Sequence, residues 1–312
     1  MQLTKNLLRR FLTRGIRAAQ NILDKTQPEI SATPVKDMVA DILGQYGTVV
    51  LNVGARWGDN QAWWRLDPVA SVVGFEADPQ ECERLNASST SLRRERYLPY
   101  ALGASRGEGT LYITREPACS SLYAPDMALA KRFPQLQVIE PVETRSVSLI
   151  PLDEWWNHED RPDVSFLKLD TQGSELDILR GSTQVLEQAL GCEIEVEFSP
   201  LYKGQPIFSE VDTFLREKGF SLWALRDTCS YSERPGQEGP GRLYWANAVY
   251  LRDYAHLPAA TAWKSRLLLA AFLEALGDKA AAHSCLNTAL AQIGDVREAA
   301  GFFGLNLQGQ PA

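Results

Sequence analysis

Short apolar runs alternate with helical patterns from about residue 35 to residue 252, and this alternation limits the chain to a small set of folds. Each run is long enough for one buried strand, and helical patterns follow several of them. Such a pattern predicts a doubly wound α/β sheet of mainly parallel strands. The predicted strands are Val49–Val53, Val72–Glu76, Arg96–Leu98, Val164–Asp170, Cys192–Phe198, Ser221–Leu225 and Ala246–Leu251. The predicted helices include Gln80–Ser88, Ser174–Leu190 and Ser209–Lys218.

The two ends of the chain differ from this central α/β domain, which we assign to residues 35–252. Residues 1–34 contain a basic helical pattern and a linker. Residues 253–312 are rich in Ala and Leu and indicate a helical pair similar to one tetratricopeptide-like unit. Because a single unit cannot form a solenoid, we predict a C-terminal helical appendage that offers a surface to a protein partner.

Composition and charge exclude several classes of protein. The 312 residues are 45% hydrophobic and 23% charged, as in soluble globular proteins. No apolar run approaches the ~18 residues of a membrane span. The net charge of −7 argues against nucleic acid as a partner. The five cysteines form no C-x-x-C pair, so neither a zinc site nor a disulfide framework is indicated, and a cytoplasmic location is expected.

The first 23 residues are basic, with five Lys or Arg side chains and no acidic one. Apolar residues recur there at helical spacing, which predicts an amphipathic helix. Packing of this helix on the acidic remainder of the chain is the simpler interpretation. Peripheral contact with an anionic membrane is the alternative.

A glycine-containing turn, "NVGARWG", follows the first predicted strand. Asn52, Gly54 and Gly58 give the spacing N-x-G-x-x-x-G, which lacks the first glycine of the dinucleotide fingerprint. Glycine removes the Cβ and lets a backbone approach a ligand closely. This spacing makes a nicotinamide-dependent oxidoreductase a distant alternative.

Glu76 ends the second predicted strand, about 20 residues beyond the glycine turn. A carboxylate at that place can accept hydrogen bonds from both hydroxyls of a ribose, and ligands of open α/β sheets bind at these strand ends. A solvated strand end is the simpler interpretation of Glu76 alone. Together with the glycine turn, it favours a nucleoside site.

Several segments together resemble the FkbM-type class I S-adenosylmethionine-dependent methyltransferases. These segments are "VVLNVGARWG", "VVGFEADP", "YALGASRGEGTLYI", "SFLKLDTQGSELDILRG" beside "LDEWW", and "EVEFSPLY". The resemblance covers about residues 49–252. It implies a seven-stranded, Rossmann-like methyltransferase sheet with an antiparallel last strand, S-adenosylmethionine as the cofactor, and a methyl acceptor that is usually a hydroxyl.

The resemblance also implies roles for individual residues. Gly54, Ala55 and Gly58 would flank the methionine part of the cofactor, and Glu76 would hold its ribose. The residues expected beside the adenine are Tyr100 and Ala101. The family usually has Asp where this chain has Asn52, which we assign to the cofactor site, and Asn where it has Arg56.

Candidate catalytic residues lie on two strands that the resembling fold makes neighbours. Strand alternation puts Lys168 and Asp170 on one face, with Glu195 and Glu197 on the corresponding face of the next strand. Asp170 is the preferred group to orient or deprotonate an acceptor hydroxyl, and Glu197 is second. We expect Lys168 to pair with Glu195 or Glu197, and a purely structural ion-pair network is the alternative. No histidine accompanies these carboxylates, so no metal is assigned.

The sequence therefore favours a methyltransferase that modifies a hydroxyl of a saccharide, a glycan or a secondary metabolite. A catalytically impaired cofactor-binding module that acts through its helical tail is the alternative, because Asn52 and Arg56 depart from the family pattern. Two long segments, residues 115–145 and 226–244, are expected to be loops that shape the acceptor site.

Overall fold

The computed structural model describes residues 34–45, 47–56, 66–88, 94–232, 241–253 and 262–303, with side chains up to residue 292. Two expectations lie outside these residues, namely the basic helix of residues 1–23 and the turn glycine Gly58. The described residues from Val35 onward belong to one compact unit.

The described residues contain a large sheet and a small sheet built from ten strands. The strands are β1 (Thr48–Val53), β2 (Ala70–Phe75), β3 (Glu95–Leu98), β4 (Ala101–Leu102), β5 (Gly107–Thr114), β6 (Pro141–Ile150), β7 (Val164–Leu169), β8 (Gly191–Glu197), β9 (Phe220–Tyr231) and β10 (Arg242–Arg252). The large sheet has seven strands in the order β3-β2-β1-β7-β8-β10-β9. Its neighbours are parallel except at β10, which is antiparallel to β8 and β9. The predicted fold class is confirmed.

Side-chain alternation divides the core between the two faces of this sheet. Every residue of β7 and of β8 is buried, because both faces of the parallel strands are covered. Val50 and Phe166 belong to the core on one face, whereas Leu51 and Leu167 belong to the core on the other. The apolar runs in the sequence predict these strands because they are buried on both sides.

Helices connect or flank the strands. They are α1 (Val35–Leu43), α2 (Pro79–Ser88), α3 (Met127–Ala130), α4 (Leu152–His158), α5 (Glu175–Arg180), α6 (Thr183–Gln188), α7 (Phe208–Glu217), α8 (Ala262–Ala275) and α9 (Lys279–Phe303). The single helix predicted over residues 174–190 is divided into α5 and α6. A Cβ on Gly181 would lie 2.2 Å from the carbonyl oxygen of Gly103, so this glycine allows a close backbone contact at the break.

The segments predicted as long loops contain strands. β5 and β6 pair antiparallel, and residues 115–140 connect them. This connection contains 3-10 turns at Pro117–Cys119 and Pro134–Ile139. Residues 226–231 and 242–244 of the other predicted loop belong to the paired strands β9 and β10. β6 and β9 are largely exposed or half-buried, so they lack the continuous apolar runs that reveal buried strands.

The C-terminal helices pack on the large sheet as part of its core. Phe272 of α8 is fully buried and stacks on Phe166 of β7, with ring centroids 4.1 Å apart. The Glu274 carboxylate accepts hydrogen bonds from the backbone N–H groups of Val35 and Lys36, at 2.9 and 3.0 Å. It therefore satisfies two unpaired donors at the first turn of α1. We predicted an appendage from residue 253 onward, but α8 and the sheet share one hydrophobic core.

The Phe166–Phe272 stack provides a test of this shared core. We expect Phe272→Ala to lower the free energy of unfolding by about 3–5 kcal/mol, the usual cost of a large cavity. Trp223→Ala is the control, because Trp223 is 44% exposed and its loss should cost much less. Chemical denaturation of both variants measures the difference. Equal, small losses would show that α8 does not stabilise the sheet.

Candidate active site

A cleft of about 160 Å³ opens at the carboxyl ends of β1, β2 and β7. Strand order reverses between β1 and β7, and open α/β sheets bind their ligands at such reversals. One side of the cleft is lined by Val53, Gly54, Phe75, Glu76, Tyr100, Ala101 and Leu102. The other side is lined by Pro117, Ala118, Ser120, Ser121, Leu122, Asp170, Thr171 and Gln172.

Gly54 is required by the crossing of two strand ends. Its φ of +78° is in the left-handed region, and a Cβ there would lie 1.9 Å from the carbonyl oxygen of Asp170. The Gly54 N–H donates to the carbonyl oxygen of Phe75, and the Asp170 N–H donates to that of Val53, both at 3.0 Å. Glycine therefore permits the ends of β1, β2 and β7 to meet beneath the cleft.

Glu76 lies directly after β2 and is only 5% exposed. Its Oε1 accepts a hydrogen bond of 2.9 Å from the Asp78 N–H, and its Oε2 has no hydrogen-bond partner among the described residues. Burial raises the pKa of Glu76 to about 7, although the Asp78 N–H and the Arg56 cation act in the opposite direction. This carboxylate can thus accept hydrogen bonds from a ligand in the cleft.

Arg56 points toward the end of β2. Its guanidinium lies 3.9 Å from Glu76 and 3.5 Å from Asp78. Asp78 also pairs with Arg145 of β6 at 3.1 Å. The positive charge of Arg56 is therefore directed to Glu76 and Asp78. The sequence did not identify these partners of Arg56.

The other residues predicted to bind the cofactor divide into two groups. Tyr100 and Ala101 line the cleft, and Tyr100 is 41% exposed. Ala55 and Asn52 are buried below the lining residues. The Ala55 N–H donates to the carbonyl oxygen of Phe75 at 3.1 Å, so Ala55 supports the turn.

Asn52 is 1% exposed and lies beside Lys168 in the register of β1 and β7. Its Oδ1 has no hydrogen-bond partner among the described residues, which is unusual for a buried polar atom. The neighbouring Lys168 brings a positive charge to this part of the sheet. A carboxylate at position 52, as the family usually has, would therefore add a second anion beside that lysine.

The buried Lys168 and the half-buried Asp170 form an ion pair on one face of the sheet, with Nζ 3.1 Å from Oδ2. Burial disfavours the Lys168 ammonium, but attraction from Asp170, and then from Glu193 and Glu195, raises its pKa. Burial also disfavours the Asp170 carboxylate, but Lys168 and hydrogen bonds outweigh this effect and lower its pKa. Asp170 is therefore ionised at neutral pH. The predicted direct pairing of Lys168 with Glu195 or Glu197 is replaced by this pair.

Three glutamates on β8 extend the polar face. Glu193 is next to Lys168 in the strand register and lies 3.7 Å from Arg226. Burial, followed by repulsion from neighbouring carboxylates, raises the pKa of Glu195 and of Glu197 well above the ordinary value. These two side chains take up protons more readily than surface glutamates do.

Asp170 and Glu197, the two candidate bases, differ in their access to the cleft. The Asp170 side chain keeps 33% of its surface exposed and lines the cleft. Glu197 is 2% exposed and lies behind the lining residues. Only Asp170 can therefore contact a ligand in this cleft directly.

Sequence reasoning missed the contributions of Gln172 and Glu175. Glu175 accepts hydrogen bonds from the N–H groups of Thr171 and Gly173, at 2.6 and 2.9 Å, and so fixes the turn after β7. Burial raises the pKa of Glu175 to about 7. Glu175 is four residues after Thr171, not the three of a capping box, so the sequence carried no signal for this contact.

The strand order, the cleft at the strand ends and the carboxylate after β2 define an α/β enzyme of the class I methyltransferase type. Residues 48–222 match the family model described as the Methyltransferase FkbM domain. This match covers more than half of the chain, and the chain belongs to the FkbM methyltransferase family.

Two individual proteins are similar to this chain. The 2-O-methyltransferase NoeI of Sinorhizobium fredii (strain NBRC 101917 / NGR234) is 24% identical over 181 residues, which are 56% of this chain and 74% of that protein. Magnesium protoporphyrin IX methyltransferase of Synechocystis PCC 6803, solved with bound SAM, is 10% identical and has a TM-score of 0.38. That alignment covers 70% of this chain and 76% of that chain. At this TM-score, the structural likeness adds nothing to the family match.

The protein is an S-adenosylmethionine-dependent methyltransferase, and S-adenosylmethionine is its cofactor. The sequence predicted both. No helix among the described residues is long and apolar enough to cross a membrane.

The raised pKa of Glu76 predicts a pH-dependent stability. The unfolded chain has the ordinary pKa of 4.5, so the folded state holds the proton more strongly. The stability from protonated Glu76 is fully present below pH 4.5 and is lost as the pH rises through about 7.

We therefore expect Glu76→Gln to stabilise the ligand-free protein relative to wild type by about 2 kcal/mol more at pH 8 than at pH 5.5. Urea denaturation at the two pH values measures this difference. Glu175 titrates in the same range in both proteins, so only the difference between them is attributed to Glu76. An equal effect of the substitution at both pH values would contradict the raised pKa.

Proposed function

We propose that this enzyme transfers the methyl group of S-adenosylmethionine to a hydroxyl group of a saccharide or another small polyhydroxylated molecule. The observation that carries the proposal is one cleft that joins Glu76, at the end of β2, to Asp170, at the end of β7. The relative NoeI is a 2-O-methyltransferase, which supports a hydroxyl acceptor.

The residues of the cleft fit the cofactor. Glu76 offers a carboxylate oxygen without a partner among the described residues, which suits a ribose hydroxyl. Phe75, Ala101 and Leu102 supply an apolar wall beside it, and Tyr100 adds an aromatic ring suited to the adenine. Gly54, Ala55 and Asn52 would form the turn around the methionine part, with Gly58 outside the described residues.

Asp170 is the group that we assign to the acceptor hydroxyl. The bound cofactor supplies a methyl group made electrophilic by its sulfonium. Asp170 lines the cleft and is ionised at neutral pH, so it can accept a hydrogen bond from the acceptor hydroxyl and take its proton. Lys168 holds this carboxylate through the 3.1 Å contact. A proton released to Asp170 is thereby kept next to a buried cation, which favours its onward loss.

Glu197 has a supporting role in this proposal. Its burial and its position behind the cleft lining argue against direct contact with the acceptor. A structural network of Lys168, Glu195 and Glu197 explains the same burial. A catalytically impaired module is not favoured, because the chain belongs to an enzyme family and Asp170 remains accessible to the cleft. Metal ions have no part in the proposal.

Two further expectations on partners depend on the sequence alone. Residues 1–23 carry the charge pattern of a helix that contacts an anionic membrane surface, which would give a cytoplasmic, membrane-peripheral enzyme. A protein partner at the C-terminal helices would have to use α9, because α8 is buried against the sheet.

The first experiment is a turnover screen with S-adenosylmethionine and a panel of sugars, glycans and polyols, read as methylated product. On an accepted substrate, we expect Asp170→Asn to reduce kcat by roughly 10²-fold, the lower range for loss of a general base, because the amide cannot take the proton. Glu197→Gln should have a smaller effect. Normal turnover by Asp170→Asn would remove Asp170 from the chemistry.

The cofactor end of the cleft has its own test. Glu76→Ala removes up to two charge-assisted hydrogen bonds to the ribose, each worth roughly 1.5–3 kcal/mol, so we expect the Kd for S-adenosylmethionine to rise at least tenfold. Isothermal titration calorimetry measures it. Glu95→Ala, on the neighbouring strand and outside the cleft lining, is the control. A Kd unchanged from wild type would exclude Glu76 from the cofactor site.

A further inference from the structure

Gln172 has a strained backbone at the edge of the cleft. Its φ of +60° is in the left-handed region, although Gln172 carries a Cβ and is followed by Gly173, whose φ is +111°. Non-glycine residues rarely adopt this conformation. Such an outlier is retained when the surrounding contacts determine it, and outliers of this kind concentrate at functional sites.

The Gln172 side chain connects three groups behind the acceptor end of the cleft. Its Nε2 donates to Asp170 Oδ1 at 3.1 Å and also to Glu195 Oε2. Its Oε1 lies 3.2 Å from the hydroxyl of Tyr202, which also donates to the carbonyl oxygen of Cys119 at 2.7 Å. Asp170 thus has both carboxylate oxygens held, one by Lys168 and one by Gln172.

The Gln172 main chain holds a second segment of the cleft lining. We call residues 117–122 the strap, of which Pro117, Ala118, Ser120, Ser121 and Leu122 line the cleft. The hydroxyl of Ser121 donates to the carbonyl oxygen of Gln172 at 2.7 Å. This bond uses the single hydroxyl proton of Ser121, so none remains to donate to a ligand. Ser121 Oγ also accepts from the Tyr123 N–H at 2.9 Å. The left-handed backbone turns this carbonyl toward the strap while the side chain reaches Asp170.

We propose that Gln172 is a positioning residue for methyl transfer, which fixes the Asp170 carboxylate through its side chain and the strap through its carbonyl oxygen. The acceptor hydroxyl then meets Asp170 and the strap in one fixed geometry. This inference rests on the proposed function, because it assigns Asp170 to the acceptor. It adds a residue whose own amide need not touch the substrate.

A double-mutant cycle tests whether Gln172 acts through Asp170. We expect Gln172→Met, which keeps the length but removes the amide, to lower kcat/KM for the acceptor by roughly tenfold or more. The Kd for S-adenosylmethionine should stay within about twofold. In the Asp170→Asn background, the same change should lower kcat/KM further by less than about twofold. Gln184→Met, at an exposed position of α6, is the matched control.

The pH profile separates positioning from a loss of stability. An N–H donor favours the ionised carboxylate, so its removal should move the acid limb of the kcat/KM profile of Gln172→Met to higher pH. The charged and titratable groups that face Asp170 are unchanged in this variant; they are Lys168 on β7, Glu193, Glu195 and Glu197 on β8, Glu175 on α5, and Cys119 on the strap. An unmoved acid limb would overturn the positioning role.

The outcomes distinguish this inference from the proposed function. If the wild type methylates no hydroxyl acceptor of the panel, the proposed function fails. If Asp170→Asn keeps full turnover, the assignment of Asp170 and the role of Gln172 that depends on it both fail. If Asp170→Asn loses turnover while Gln172→Met matches Gln184→Met, only the role of Gln172 is overturned. If Gln172→Met does not fold, Gln172→Asn replaces it, because Asn tolerates the left-handed conformation but is one methylene too short to span Asp170, Glu195 and Tyr202. Full activity of Gln172→Asn would likewise overturn the inference.

Discussion

The meeting of β1 and β7 beneath the cleft is the constraint on which the rest of the site depends. Gly54 lies so close to the Asp170 carbonyl that any Cβ would collide with it. The contact fixes the two strand ends at the point where strand order reverses. Glu76, bound through its neighbour Phe75 to the Gly54 turn, and Asp170 are therefore held at opposite ends of one cleft. A rigid backbone contact sets the separation between the cofactor end and the acceptor end.

Charge is distributed unequally between these two ends. At the end of the cleft that we assign to the cofactor, burial outweighs the Arg56 cation and leaves Glu76 with a pKa of about 7. The ionised Glu76 carboxylate, which suits a ribose hydroxyl, is therefore unfavourable in the ligand-free protein. At the acceptor end, Lys168 outweighs burial and keeps Asp170 ionised. Glu193 and Glu195 of β8 also attract Lys168 and help to raise its pKa. One buried cation thus permits a carboxylate to face the cleft.

The small sheet gives the enzyme its second wall. β5 and β6 carry the strap, and Ser121 and Tyr202 tie the strap to the turn after β7. Glu175 fixes this turn, because its carboxylate accepts hydrogen bonds from two backbone N–H groups of the turn. Hydrogen bonds to main-chain atoms therefore couple the strap to the turn after β7. A substitution in this turn affects both Asp170 and the strap.

The sequence by itself determined the seven-stranded sheet, the family, the cofactor and the places of Glu76 and Asp170, because buried strands leave continuous apolar runs and their ends are marked by Gly54 and by carboxylates. It did not reveal β5, β6 or the second half of β9, which are half-exposed and whose alternation with polar residues resembles loops. Only the tertiary structure decided that Lys168 pairs with Asp170, that α8 completes the core, and that Gln172 joins Asp170 to the strap. These depend on contacts between residues distant in the chain or on a backbone angle, and neither leaves a periodic signal in the sequence.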